Sequence, residues 1–128
     1  MKDSAMTDTI ITQMFRWWNE AYTDPNGFTP EAFSRFYTDD AELIVNGNSR
    51  GKGLQALSAH YQRIQAAVPL AQMVLPVDDD FATTDRAFVH CHEQAKRADG
   101  TEKLSECFAY AEVRDGKMSV LRVVGYEK

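Results

Sequence analysis

The chain has 128 residues, 44% apolar and 26% charged, with a formal net charge of −5. That length and balance suit one domain with its own hydrophobic core, expected over residues 7–128. Acids outnumber bases and are scattered along the chain, which argues against a nucleic-acid partner, because phosphate binding needs a basic face. No apolar run reaches the roughly 18 residues of a membrane span, so no membrane association is expected. The opening "MKDSAMTDT" lacks the apolar core of a signal peptide, and residues 1–6 are expected to fray. Two cysteines without export signals predict reduced thiols in a cytoplasm.

In chain order, Ile10, Ile11, Met14, Trp18 and Ala21 recur at helical spacing, capped by Thr7 or Asp8 and ended by "TDPNG". Trp18 lies in that stripe and Trp17 at its edge. "FTPEAFSRFY" predicts a short second helix, with Thr29 as N-cap and Pro30 in the first turn. "AELIVNG" (41–47) predicts a strand, and "NGNSRGKG" an irregular turn that misses the phosphate-loop spacing. Leu54, Leu57, Tyr61, Ile64 and Val68 predict a third helix stopped by Pro69, with His60 at the edge of its stripe.

The remainder predicts strands. "LAQMVLPV" (70–77) leads into an acidic loop whose Asp78, Asp79 and Asp80 lack calcium-loop spacing. "RAFVHCHEQAKR" and "EKLSECFAYAEV" flank a hairpin turn, and Asp115-Gly116 leads into the last strand. Helix, helix, strand, helix and an antiparallel meander make an α+β architecture, with helices on one face of a curved sheet.

Strand alternation puts His90 and His92 on one face and Cys91 with Glu93 on the other, so His90-Cys91-His92 cannot converge on one metal ion. A three-residue loop with Gly100 in the left-handed position pairs Arg97 with Thr101. It then sets His92 opposite Glu106, His90 opposite Phe108 and Cys91 opposite Cys107. A two-residue turn would instead oppose Glu93 and Glu106, which like charges disfavour. One face therefore carries Phe88, His90, His92, Glu106, Phe108 and Tyr110, a mixture of aromatic and titratable groups that suits a pocket wall. The small apolar face, Val89, Cys91, Ser105, Cys107, Ala109, Ala111 and Val113, predicts a homodimer contact on the outside of the sheet.

"FYTDDAELIVNG", "RGKGLQALSAHYQRIQAAVP" and "EVRDGKMSVLRVV" resemble the SnoaL-like group of the NTF2-like superfamily, over about residues 8 to 126. The resemblance implies a cone-shaped fold in which a bent sheet wraps a long helix and encloses an apolar pocket. It includes ketosteroid isomerases, whose machinery is not retained here. The position of their aspartate base falls on Val45, followed by Asn46, that of their oxyanion-hole acid on Phe108, and that of their first-helix tyrosine near Arg16 or Trp17. Tyr61 keeps the third-helix aromatic. The expected function is binding of a small apolar or aromatic molecule, with cofactor-independent proton transfer of isomerase, dehydratase or cyclase type. The catalytic candidates are His92 as base, Glu106 as its orienter and Tyr61 or Tyr110 as donor. Trp18, Asn46, His60, His90, Phe108 and Tyr110 are the binding candidates. No motif for a metal or cofactor is present, and neither is expected. The competing expectation is a non-catalytic dimeric interaction module.

Overall fold

The computed structural model describes residues 8–128; the expected fraying of residues 1–6 lies outside them. Helix α1 (Ile10–Tyr22) is capped by Thr9, whose hydroxyl accepts the Thr12 N–H at 3.4 Å. Asp8 is not the cap and instead pairs with Arg16 at 2.8 Å. The stripe of α1 buries Ile11, Met14, Phe15, Trp18, Ala21 and Tyr22. Helix α2 (Pro30–Phe33) starts as expected, with the Thr29 hydroxyl accepting the Ala32 N–H at 3.1 Å. It buries Phe33 beneath Trp17, whose ring meets it edge-on at 4.9 Å.

Strand β1 (Tyr37–Val45) begins four residues earlier than the apolar pattern suggests, because Tyr37 pairs with Met118 near the other end of the chain. The segment read as an irregular turn is strand β2 (Asn48–Lys52), which folds back on β1. Asn46 and Gly47 have φ of 49° and 84°, the two positive values of a type I′ hairpin turn. Turn-rich composition concealed a two-residue hairpin. Between the Leu43–Gly51 and Ile44–Ser49 pairs, β2 carries one extra residue, Arg50. Gly51 follows at φ 143°, and a Cβ there would lie 2.7 Å from the Ala56 Cβ. Helix α3 (Leu54–Ala67) therefore packs closely on β2. Gly51→Ala is expected to cost about 1–3 kcal/mol in urea unfolding through this clash and the positive φ; an unchanged midpoint would show that the approach is slack.

Strands β3 (Leu70–Met73) and β4 (Asp79–Ala82) both pair with β5 (Arg86–Lys96). The acidic segment thus supplies a strand rather than a free loop. Strands β5 and β6 (Glu102–Arg114) have the expected register, with Cys91 opposite Cys107 and His92 opposite Glu106. Arg97 N–H donates to the Thr101 carbonyl at 2.8 Å, and Gly100 has φ 90°. Strand β7 (Lys117–Glu127) returns after the Asp115-Gly116 turn, and β1 lies parallel to it. The sheet order is β2-β1-β7-β6-β5-β3, with β4 also on β5, so the sheet is mixed rather than wholly antiparallel. Helix α1 packs on β3, β5 and β7, inside the curl.

The assignment of the two sheet faces is corrected. Val89, Cys91, Cys107, Ala109 and Ala111 are buried on the face toward the helices, with Ser105. Phe108 and Tyr110 are exposed on the other face. The physical reason is volume. Helices α1 and α2 bring Trp18, Phe15 and Phe33 into the hollow of a curled sheet, and close packing leaves room there for small sheet residues only. A small, apolar strand face marked the inside of the cone, not a flat surface for a partner.

Candidate functional site

Helix α1, helix α3 and the concave sheet face enclose a cavity of about 270 Å³. Met14, Phe15 and Trp18 of α1, Ile64 of α3, and Leu121 and Val123 of β7 supply its apolar wall. The polar lining is sparse: Arg50 on β2, His60 and Tyr61 on α3, Glu93 on β5, and the Cys91 and Cys107 thiols. Each reaches the cavity for a local reason. Glu93 lies two residues from Cys91 and shares its inward face. Tyr61 is held by aromatic neighbours, stacked on Phe33 at 5.6 Å and edge-on to Trp18 at 5.9 Å. The His60 ring lies 5.0 Å from that of Tyr61.

Burial dominates the electrostatics. It pushes the Glu93 carboxyl above the usual carboxylate range, with the Lys103 ammonium opposing. Burial also raises the Tyr61 hydroxyl, and the Glu93 charge adds to the shift, so Tyr61 stays a donor. His60 is held below its ordinary value by burial and by Arg50 and Arg63, which keeps a neutral imidazole at the cavity. The Cys107 sulfur and burial push the Cys91 thiol upward, away from nucleophilic thiolate. Neither the Glu93 carboxylate nor the Tyr61 hydroxyl has a hydrogen-bond partner among the described residues. Both residues are half-buried, so these polar atoms stay open to the cavity. A raised carboxyl beside a protonated hydroxyl on an apolar wall can take a proton from carbon and stabilise the oxyanion that forms.

Of the residues expected at a site, Tyr61, Trp18 and His60 do line the cavity. His92, Glu106, His90, Phe108 and Tyr110 do not; they lie on the outer sheet face, for the reason of volume given above. The expected His92–Glu106 pair is also replaced. His90 Nε2 lies 2.7 Å from Glu106 and its Nδ1 3.1 Å from Asp79, while His92 Nδ1 lies 2.8 Å from Asp78. Diagonal neighbours on a strand pair are within reach of long side chains, and β4 with its approach supplies two further acids. Glu106 also accepts from the Tyr126 hydroxyl, and Phe108 stacks on the His90 ring at 4.7 Å. Asn46 sits in the β1–β2 turn, where its side-chain oxygen accepts the Gly125 N–H at 3.0 Å. Phe108, counted as the counterpart of an oxyanion-hole acid, faces outward, so that equivalence fails. Glu93 was not singled out from the sequence. Alternation from Cys91 would have found it once the inward face was known.

The outer network gives a prediction of its own. Glu106 and then Asp79 raise the His90 pKa, and the Tyr126 hydroxyl and His90 lower that of Glu106. The stability from His90 pairing is therefore full below the ordinary histidine pKa and lost as pH rises through the raised one. Glu106→Gln is expected to move the His90 pKa down, read from its imidazole proton shifts, and to leave cavity binding unchanged. A change in cavity affinity would place this pair in the site after all.

Among the described residues no group of three or more ligating side chains is placed to hold a metal ion. No helix among them is long and apolar enough to cross a membrane.

A curled mixed sheet wrapped round a helix, with a cavity between them, is the NTF2-like fold. The solved structures similar to this chain include an NTF2-like protein of unknown function from Exiguobacterium sp. 255-15, with 20% identity and a TM-score of 0.76 over 94% of this chain and 100% of that one. A candidate SnoaL-like polyketide cyclase from Jannaschia sp. CCS1 is 13% identical, with a TM-score of 0.75 over 91% of this chain and 82% of that one. IdmH, a candidate polyketide cyclase from Streptomyces antibioticus, is 16% identical, with a TM-score of 0.70 over 91% and 88%. No protein-family model and no curated protein sequence matches the chain.

Proposed function

We propose that this protein binds a small aromatic or apolar molecule in the cavity and moves a proton on it without a cofactor, in an isomerase, dehydratase or cyclase reaction. Glu93 is the base, Tyr61 the donor to an enolate-like oxygen, and Trp18 and Phe15 the ring-binding wall. The observation that carries this reading is the pair of unpartnered polar groups, Glu93 and Tyr61, on an otherwise apolar lining. Polar groups left open on an apolar wall are available to a ligand. The likeness to candidate polyketide cyclases supports the reaction class at the level of fold. Calorimetry with 2-naphthamide tests the binding step. Saturable binding by the wild type and its loss in Leu121→Trp, which fills the cavity, are expected. Absence of binding, or binding that survives the filled cavity, would refute the assignment.

A homodimer through the outer sheet face accompanies this proposal, built from different residues than the sequence suggested. Phe81, Tyr126 and Val124 are 61%, 54% and 55% exposed there, beside Phe108 and Tyr110. An apolar face of that kind suits a second copy of the chain. Light scattering at micromolar concentration distinguishes dimer from monomer, and a monomer would overturn the dimer. The two free thiols suit a reducing compartment such as the cytoplasm.

A further inference from the structure

Arg50 is the extra residue of the β2 bulge, set between the Leu43–Gly51 and Ile44–Ser49 pairs. A bulge re-aims a side chain away from the direction that regular pairing would give it. Here Arg50 is brought among the residues that line the cavity while it stays exposed, which places it toward the open end. The close seat of Gly51 on Ala56 fixes the bulge against α3. The ion pairs of Lys and Arg among the described residues use Arg16, Arg86, Arg97, Arg114 and Lys128, and Arg50 is in none of them. It is also not within ion-pair distance of Glu93, although both line the same cavity, so the two charges do not satisfy each other. The rest of the lining is largely apolar, with Met14, Phe15, Trp18 and Ile64 on the helices. A cationic mouth above an apolar wall is the complement of a molecule with an anionic end and a flat apolar body. A guanidinium is the side chain best shaped to grip a carboxylate with two parallel hydrogen bonds. The volume of about 270 Å³ lies just under the roughly 300–1,000 Å³ of sites for drug-sized ligands, which limits that body to one or two rings.

Resting on the reading of the cavity as a ligand site, we propose that Arg50 anchors an anionic group, so that the ligand is a one- or two-ring aromatic acid held by its carboxylate at the mouth. His60 stands beside that carboxylate as a second donor, and the ring system runs inward toward Glu93. The chain as a whole is acidic, at a net charge of −5, so any preference for an anion must come from this local arrangement rather than from the general field of the protein.

The test compares 2-naphthoate with its uncharged amide, 2-naphthamide, which has the same rings and nearly the same shape. Calorimetry at neutral pH is expected to show naphthoate bound on the order of tenfold more tightly. Arg50→Gln is expected to abolish that preference, with the amide affinity as the control for an intact cavity. The preference should also shrink in high salt, since the mouth is open to solvent. Equal affinities in the wild type, or a preference that survives in Arg50→Gln, would overturn the anchor. Binding of the amide without preference for the acid overturns the anchor alone. Failure of both ligands to bind overturns the cavity reading and the anchor together.

Discussion

Phe33→Ala is expected to lower the unfolding free energy by about 3–5 kcal/mol. Phe33 is fully buried, with its ring 4.9 Å from Trp17, 5.8 Å from Phe28, 5.8 Å from Tyr37 and 5.6 Å from Tyr61. Removing the ring loses its transfer free energy and leaves a void that four rigid aromatics, on α1, α3, β1 and the segment before α2, cannot close. The variant also has a functional signature. Tyr61 loses the ring stacked on it at an interplanar angle of 15°, so the hydroxyl at the cavity is no longer fixed. Ligand affinity should fall with stability, while Phe33→Leu, which refills most of the volume, should recover much of both. Urea unfolding measures the first effect and calorimetry the second. A cost below about 1 kcal/mol would show that the aromatic cluster repacks freely.

Glu93→Gln carries the other large effect, and its two readouts have opposite signs. On any substrate found for the protein, removing a general base should lower kcat by about 10²–10⁴-fold. On stability the change is expected to be favourable at neutral pH, by about 0.5–2 kcal/mol, as for other sites where function strains the fold. The sign follows from linkage. Burial raises the folded-state pKa of Glu93 above its unfolded value. The folded state therefore holds the proton more tightly, and stability falls as pH rises from the unfolded pKa through the folded one. Glutamine has no charge to desolvate and escapes that loss. The gain should vanish below the unfolded carboxylate pKa, where both side chains are neutral. Unfolding curves at acid and neutral pH check it, and a Glu93→Gln protein less stable than the wild type at neutral pH would show that the carboxylate has a partner in the fold.

Much of the fold was legible because its signals are local. Thr29-Pro30 marks the start of α2, the spacing of Leu57, Tyr61 and Ile64 marks α3, and Gly100 sets the register of β5 on β6. Two short strands were missed for different reasons. In β2 the residues are turn-like and the pairing, not the composition, makes the strand. In β4 a run of acids reads as solvated, yet Asp79 pairs with His90 along the outer sheet. The candidate site was less legible. Alternation divides a strand into two faces without saying which is inside. Titratable and aromatic residues drew attention to His92 and Glu106, whereas the inward face was the bland one of Val89, Cys91, Ala109 and Ala111. What decides is the bulk that the helices bring, a tertiary quantity that no single strand carries. Glu93 became visible only with that choice made.

Methyl NMR during a titration with 2-naphthamide tests the central claim most directly. The cavity predicts saturable shifts at the methyl groups of Met14, Met73, Ile64, Leu121 and Val123, which line it. Leu104 and Val124, exposed elsewhere on the sheet, should stay still. Shifts confined to Leu104 and Val124, or none at saturating ligand, would contradict a binding site inside the cone.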